Sequence, residues 1–126
     1  MTKILIVDDE PGMRLLMEQS LEDLEDRGVE LFTSANGEEA IEFIKNERPS
    51  LVILDVMLPG INGFEVCDFA KNVLAIKDVY VLMLTAKGQD FDKQRGRDVG
   101  VDFYMTKPFN PDDIVKKIVD VLRIEM

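Results

Sequence analysis

Histidine is missing from this chain of 126 residues, and cysteine occurs only once. Without histidine, the chain cannot carry out Ser–His or Cys–His catalysis, and it lacks the commonest ligand of zinc and copper. The single cysteine, Cys67, cannot form an internal disulfide, which is typical of a cytoplasmic protein. The sequence also has no secretory signal pattern and no apolar run of membrane-spanning length, so we expect no association with a membrane.

Basic residues are also outnumbered, since 15 Lys and Arg face 25 Asp and Glu and the formal net charge is −10. A nucleic-acid surface needs clustered basic residues to meet phosphates, so we expect no direct binding of nucleic acid by this chain. The negative net charge is compatible with basic protein partners. Hydrophobic residues make up 46% of the sequence, enough for the core of a single domain spanning residues 1–126.

Five short apolar segments alternate with segments in which apolar residues recur at helical spacing. This alternation predicts an α/β fold, a doubly wound parallel sheet of five strands with five helices on its two faces. The predicted strands span residues 3–8, 29–33, 51–55, 79–84 and 101–105. The predicted helices run from Pro11 to Gly28, from Asn36 to just before Pro49, along residues 64–74, within residues 88–98, and onward from Pro111.

Polar side chains stand where four of these strands end, and they are of three chemical kinds. They are the carboxylates Asp8, Asp9 and Asp55, the hydroxyl of Thr85 and the ammonium of Lys107. Because ligands of such folds bind at the carboxyl ends of the strands, we expect these groups to converge at one edge of the sheet. Oxygen ligands select Mg²⁺, Mn²⁺ or Ca²⁺, and Mg²⁺ is the most available of these inside cells.

Each of these residues also has a plain structural explanation. Asp8 or Asp9 can cap a helix, Thr85 suits a strand end, and Lys107 can pair with an acid. Asp55 is harder to explain in this way, because it ends the most apolar strand, where an unpaired carboxylate is costly. Together the five residues supply a nucleophile, a cation site, a hydrogen-bond donor and a positive charge, the parts needed to hold a phosphoryl group on a carboxylate.

Four sequence blocks carry a resemblance to a known family. They are DDE at residues 8–10, LDVMLPGINGFE at 54–65, LTAKG at 84–88 and GVDFYMTKPF at 100–109. In this order and spacing the chain resembles the receiver domain of two-component response regulators, the CheY-like fold, over nearly its whole length. The resemblance implies strand order 2-1-3-4-5 and a signalling switch that catalyses only its own phosphorylation and dephosphorylation, without turnover of an external substrate.

The resemblance also implies a role for each site residue. Asp55 would accept phosphate, with Mg²⁺ bound by Asp9, Asp55 and the Met57 carbonyl, and by Asp8 directly or through water. Thr85 and Lys107 would contact the phosphoryl group, and Tyr104 would turn inward as Thr85 moves. The bond between Lys107 and Pro108 would be cis.

The partners implied are a sensor histidine kinase or a histidine phosphotransfer protein, and an output domain or effector protein. Output would use the face made by the fourth helix, the fifth strand and the fifth helix. In related regulators this face forms dimers through salt bridges, and Lys93 and Asp113 match one of these. Lys117 matches half of another, but Phe103 stands where its acidic partner belongs. We therefore expect a monomer, or a weak dimer that depends on phosphorylation.

Three other functions remain open at this point. A haloacid-dehalogenase-like phosphatase shares an aspartyl nucleophile and Mg²⁺, but it needs a second acid where this chain has Met57. A flavodoxin-like cofactor binder needs a polar phosphate loop where this chain has the acidic sequence DDEPG. A pseudo-receiver, an interaction module without phosphorylation, normally lacks the acceptor or the acid pair, and this chain keeps both.

Overall fold

The computed structural model describes residues 2–86 and 93–124, apart from the side chain of Lys93. The strands are β1 (Thr2–Val7), β2 (Val29–Ser34), β3 (Leu51–Asp55), β4 (Tyr80–Ala86) and β5 (Phe103–Lys107). The helices are α1 (Pro11–Leu21), α2 (Gly37–Glu47), α3 (Gly63–Asp68), α4 (Lys93–Val99) and α5 (Pro111–Leu122). All strand pairs are parallel, and the order β2-β1-β3-β4-β5 confirms the predicted doubly wound topology.

Alternating side chains of the three central strands divide the core into two layers. Leu5, Leu54 and Met83 belong to the layer that packs against α2 and α3. Ile6, Ile53 and Leu82 belong to the other layer, which contains buried residues of α1 and α5. Both faces of β1, β3 and β4 are therefore covered, and only their carboxyl ends leave room for polar groups.

Capping residues fix two helix starts, of which the sequence predicts the one at Asn36 but not the capping box of α3. Asn36 accepts a hydrogen bond from the Glu39 amide and caps α2. Asn62 and Glu65 form a reciprocal capping box at the start of α3. These caps fix where α2 and α3 begin, directly after the loops that leave the carboxyl edge of the sheet.

Several predicted boundaries are shifted, and two of the shifts have a clear physical reason. The first helix ends at Leu21 and continues as a 3-10 helix from Glu22 to Arg27, which ends at Gly28 with φ of +86°. The fifth strand begins at Phe103 and not at residue 101, because Asp102 uses its side chain to accept a hydrogen bond from the Val81 amide. This shift puts Lys107 inside β5 as its last residue.

The predicted fourth helix falls partly on residues outside the described part of the chain, and the described portion begins at Lys93. Helix α3 passes into one π-helical turn, Phe69–Val73, that the sequence does not predict. None of the helices in the described ranges is both long enough and apolar enough to cross a membrane.

Candidate functional site

The ammonium group of Lys107 lies between two carboxylates at the carboxyl edge of the sheet. Its Nζ is 2.9 Å from Asp8 Oδ2 and 2.9 Å from Asp55 Oδ2. Burial alone would lower the pKa of Lys107, but the hydrogen bonds and charges of Asp8 and Asp55 raise it above its ordinary value. The lysine is therefore protonated at neutral pH and offsets part of the negative charge that two buried acids bring to this edge.

The strand register sets the spacing of this group. Asp55, the last residue of β3, is the register partner of Leu84, so Thr85 lies one residue further toward the carboxyl edge. Lys107 is the register partner of Ala86, the last residue of β4. Thr85 is buried, as Asp55 is. The structure thus brings these residues to one edge, where the sequence predicts them.

Asp55 is held by the turn that follows it. Its Oδ1 accepts a hydrogen bond from the Met57 amide at 3.0 Å, which leaves Oδ2 directed to Lys107. The start of α3 packs directly against the end of β3, because a Cβ on Gly63 would lie 2.5 Å from the Asp55 carbonyl oxygen. Only glycine allows this approach, so Gly63 helps to fix the position of Asp55.

Asp8 is held at every polar atom. Its amide donates to the Ser34 carbonyl at 3.2 Å, and its Oδ1 accepts from the Glu10 amide at 3.0 Å. Its Oδ2 accepts from Lys107, and its carbonyl oxygen accepts from Arg14 Nη1 at 2.7 Å. The sequence predicts Asp8 as a site residue but does not predict Arg14, because nothing in the spacing of Arg14 shows that its side chain reaches back to the strand end.

The carboxylates of Asp8, Asp9 and Glu10 have oxygens that all lie within 4.8 Å of one another. Asp8 is buried, whereas Asp9 and Glu10 are exposed. An all-oxygen donor set of this kind fits Mg²⁺, which keeps several water ligands. Glu10 is outside the predicted ligand set, and Asp55 is joined to Asp8 through Lys107. The residues present therefore suit a hard divalent cation beside Asp8.

Tyr104 lies under α4 with its hydroxyl oxygen buried. Its ring packs against the core layer below α2 and α3, and its hydroxyl occupies the place that a Cβ on Gly96 would need. The ring is thus already directed inward in this structure. The Lys107–Pro108 peptide bond is cis, as the resemblance implies.

The face formed by α4, β5 and α5 differs from the prediction at one contact. Lys117 Nζ lies 3.9 Å from the centroid of the Phe103 ring, a cation–π contact within the chain that the sequence does not predict. Asp113 is exposed. The side chain of Lys93, its predicted partner in a dimer, lies outside the described part of the chain.

Comparison with known proteins gives a consistent result. The family described as response regulator receiver domain matches residues 4–119. The chain is 43% identical over 122 residues to the alkaline phosphatase synthesis transcriptional regulatory protein PhoP of Bacillus subtilis (strain 168), covering 96% of the chain and 48% of PhoP. The chain spans about half the length of the curated relatives it matches.

Solved structures show the same likeness. One is chemotaxis protein CheY4 of Vibrio cholerae, with a TM-score of 0.84, 34% identity, and coverage of 96% of this chain and 98% of that one. Another is the BeF3-activated receiver domain of DrrB, with a TM-score of 0.80, 30% identity and coverage of 98% of both chains.

Proposed function

Because this chain belongs to the response regulator receiver domain family, we propose that it is a phosphorylation-dependent switch in which Asp55 accepts the phosphoryl group. The observation that carries the proposal is the position of Lys107 Nζ, 2.9 Å from carboxylate oxygens of both Asp8 and Asp55. An ammonium beside the acceptor can meet an oxygen of an incoming phosphoryl group and offset its charge. A purely structural ion pair would not need the second buried acid.

In the proposed transfer, an Asp55 oxygen bonds to phosphorus while the bond from phosphorus to the leaving group breaks. The leaving group takes both electrons of that bond. It is a histidine nitrogen of a kinase or phosphotransfer protein, or the acetate of acetyl phosphate. Lys107 then contacts one phosphoryl oxygen and Thr85 donates a hydrogen bond to another. Tyr104 responds to the movement of Thr85 and carries the change toward α4.

The acidic cluster supplies the cation site of this proposal. Asp8, Asp9, Asp55 and the Met57 carbonyl oxygen would hold Mg²⁺, which would offset negative charge on the phosphoryl oxygens when bound. The geometry that supports this for Asp8 and Asp9 is that their carboxylate oxygens and those of Glu10 lie within 4.8 Å of one another. Asp55 is linked to Asp8 through Lys107. Lys107 provides part of the same charge compensation in the described structure.

Incubation with acetyl phosphate and Mg²⁺, followed by intact-mass measurement, tests the acceptor. We expect the wild type to gain the mass of one phosphoryl group. This gain should not occur when EDTA is present during labelling, and it should not occur in Asp55→Asn. Asp78→Asn is the matched control, because exposed Asp78 precedes β4 at the opposite edge of the sheet. Labelling of Asp55→Asn at the wild-type level would refute the assignment, and an unlabelled wild type would favour the pseudo-receiver.

We further propose that the phosphodonor is a sensor histidine kinase or a histidine phosphotransfer protein, and that an output domain or effector reads the face formed by α4, β5 and α5. The relative PhoP is a transcriptional regulator, which supports an output in transcription. This setting is cytoplasmic, with no substrate turned over and no nucleic acid bound by this chain itself.

The oligomeric state belongs to the same proposal. Lys117 is engaged by Phe103 within one chain, which removes a charge from intermolecular pairing. We expect a monomer without phosphate and at most a weak dimer with it, since surface salt bridges contribute only about 0–1 kcal/mol each. Light scattering with and without beryllofluoride measures this, and a tight dimer in both states would contradict it.

A further inference from the structure

Arg14 reaches from the first turns of α1 back to the end of β1. Its Nη1 lies 2.7 Å from the Asp8 carbonyl oxygen, a short hydrogen bond from a charged donor. The side chain is partly buried, so its direction is constrained by its surroundings. Arg14 is not among the proposed cation ligands, and none of the roles proposed above uses it.

The carbonyl that Arg14 holds belongs to the peptide unit joining Asp8 to Asp9. Because this unit is planar, fixing its oxygen constrains ψ of Asp8 and φ of Asp9 together. The direction of the Cα–Cβ bond of Asp9 depends on those two angles. Arg14 therefore acts on the direction in which the Asp9 carboxylate leaves the chain.

Asp9 needs such support more than its neighbour does. Both carboxylate oxygens of Asp8 are held, by the Glu10 amide and by Lys107. Asp9 is exposed, and within residues 2–86 and 93–124 no hydrogen bond reaches its carboxylate. Among the described contacts, the backbone is what holds Asp9, and Arg14 fixes the peptide on its amino side.

The guanidinium also places a positive charge at an acidic edge. A charge acting alone would repel a divalent cation and weaken its binding, whereas an orienting contact would strengthen it. The two effects have opposite signs, so cation affinity distinguishes them.

We propose that Arg14 is a positioning residue for the divalent cation, acting through the Asp8 carbonyl to orient the Asp9 carboxylate. This inference rests on the proposed function, since it takes the acidic cluster to be the cation site. Loss of a residue that orients a metal ligand typically lowers metal affinity about 10-fold to 100-fold. Arg14 acts through one peptide unit, so we expect the lower end, about 10-fold.

The test measures Mn²⁺ binding directly, from the electron paramagnetic resonance signal of the free ion. We expect Arg14→Met to raise the Mn²⁺ dissociation constant about 10-fold. At saturating Mn²⁺, its rate of labelling by acetyl phosphate should stay within about twofold of the wild type. Arg14→Lys, which retains a charged donor, should recover part of the affinity. Arg14→Gln serves if the methionine variant fails to fold, as judged by circular dichroism.

Lys45→Met is the matched control, because it removes one positive charge from an exposed site in the last turn of α2. Equal dissociation constants for Arg14→Met and the wild type would overturn the inference, as would a shift no larger than that of Lys45→Met. Tighter Mn²⁺ binding by Arg14→Met would overturn it too, since the arginine would then act only as a repelling charge. Failure of the wild type to bind Mn²⁺ or to be labelled would instead refute the proposed function.

Discussion

Replacing Gly96 with alanine should destabilise the protein, although the same change ordinarily stabilises a helix. An added Cβ at Gly96 would overlap the Tyr104 hydroxyl oxygen and lie 2.7 Å from Cζ of the ring. The helix backbone cannot give way easily, so the partly buried Tyr104 ring has to move away from α4. Gly96 is thus the residue that allows Tyr104 to lie inward beneath α4.

The size of the effect follows from two opposing terms. Alanine in place of a helical glycine gains about 0.5–1 kcal/mol in an unhindered site. Expelling the Tyr104 ring exposes part of a side chain that buries about 150–250 Å² when fully covered. If half of that area becomes exposed, the loss is about 2–3 kcal/mol. We therefore expect a net loss of about 1–2 kcal/mol in the free energy of unfolding.

Urea denaturation followed by circular dichroism measures this loss in a chain without tryptophan. Gly12→Ala is the matched control, because nothing lies within 4 Å of a Cβ at that helical position, and it should be neutral or slightly stabilising. In Gly96→Ala/Tyr104→Ala the clash is gone, so the two single changes should be non-additive by about 2 kcal/mol. Stabilisation of Gly96→Ala to the same extent as Gly12→Ala, or full additivity, would refute the reasoning.

The same variant bears on the proposed switch. If the phosphorylated state needs Tyr104 inward, Gly96→Ala should bind beryllofluoride more weakly than Gly12→Ala does. Equal affinities would separate Tyr104 from the response to phosphorylation while leaving the stability argument intact.

Two further predictions concern buried groups elsewhere. Lys71 Nζ lies 2.7 Å from Asp102 Oδ2, and the lysine side chain is 9% exposed against 31% for the aspartate. Asp102→Ala should therefore lower the free energy of unfolding by about 3 kcal/mol, and Lys71→Met by about 1–2 kcal/mol. The loss is larger for Asp102→Ala because it leaves a buried ammonium and the Val81 amide without their partner. The reverse order in urea denaturation would contradict this. Burial raises the pKa of Cys67 to about 12 from 9.0, so the native thiol stays protonated where the unfolded thiol ionises. The folded state should lose stability between pH 9 and 12, and this loss should be smaller in Cys67→Val. An identical pH dependence in both proteins would rule the thiol out as the cause. Thiol reagents should also label native Cys67 only slowly at pH 8.

Much of the fold is predictable because it depends on short-range patterns. Runs such as residues 51–55 are apolar on both faces, which indicates a buried strand. Asparagine is a favoured N-cap residue, and Asn36 caps α2. Asp55 and Lys107 are predictable as site residues because they end such runs, and strand ends of a parallel sheet share one edge. The positions of Asp55 and Lys107 in the sequence are therefore enough to predict that they lie at the same edge.

The contacts that could not be predicted join residues through side-chain direction. Whether Lys117 meets an acid of another chain or the ring of Phe103 depends on how α5 lies against β5. The start of β5 depends on the Asp102 side chain, which accepts the Val81 amide, while the Asp102 amide donates to the Val81 carbonyl. Neither arrangement leaves a periodic signal in the sequence, because each is set by tertiary packing.

The carboxyl end of α4 is tied to α3 and to the π-helical turn that follows it, and this bears on how the proposed switch could alter the face formed by α4, β5 and α5. The Val99 carbonyl accepts hydrogen bonds from Asn72 Nδ2 at 3.3 Å and from the Cys67 thiol at 3.5 Å. Just beyond it, Gly100 packs against the aliphatic stem of buried Lys71. In the proposed switch, a movement of Tyr104 beneath Gly96 would act on a helix whose far end is fixed. The response that this geometry favours is a tilt of α4 about Val99, not a translation of the whole helix, and such a tilt changes most the parts of the face furthest from that anchor.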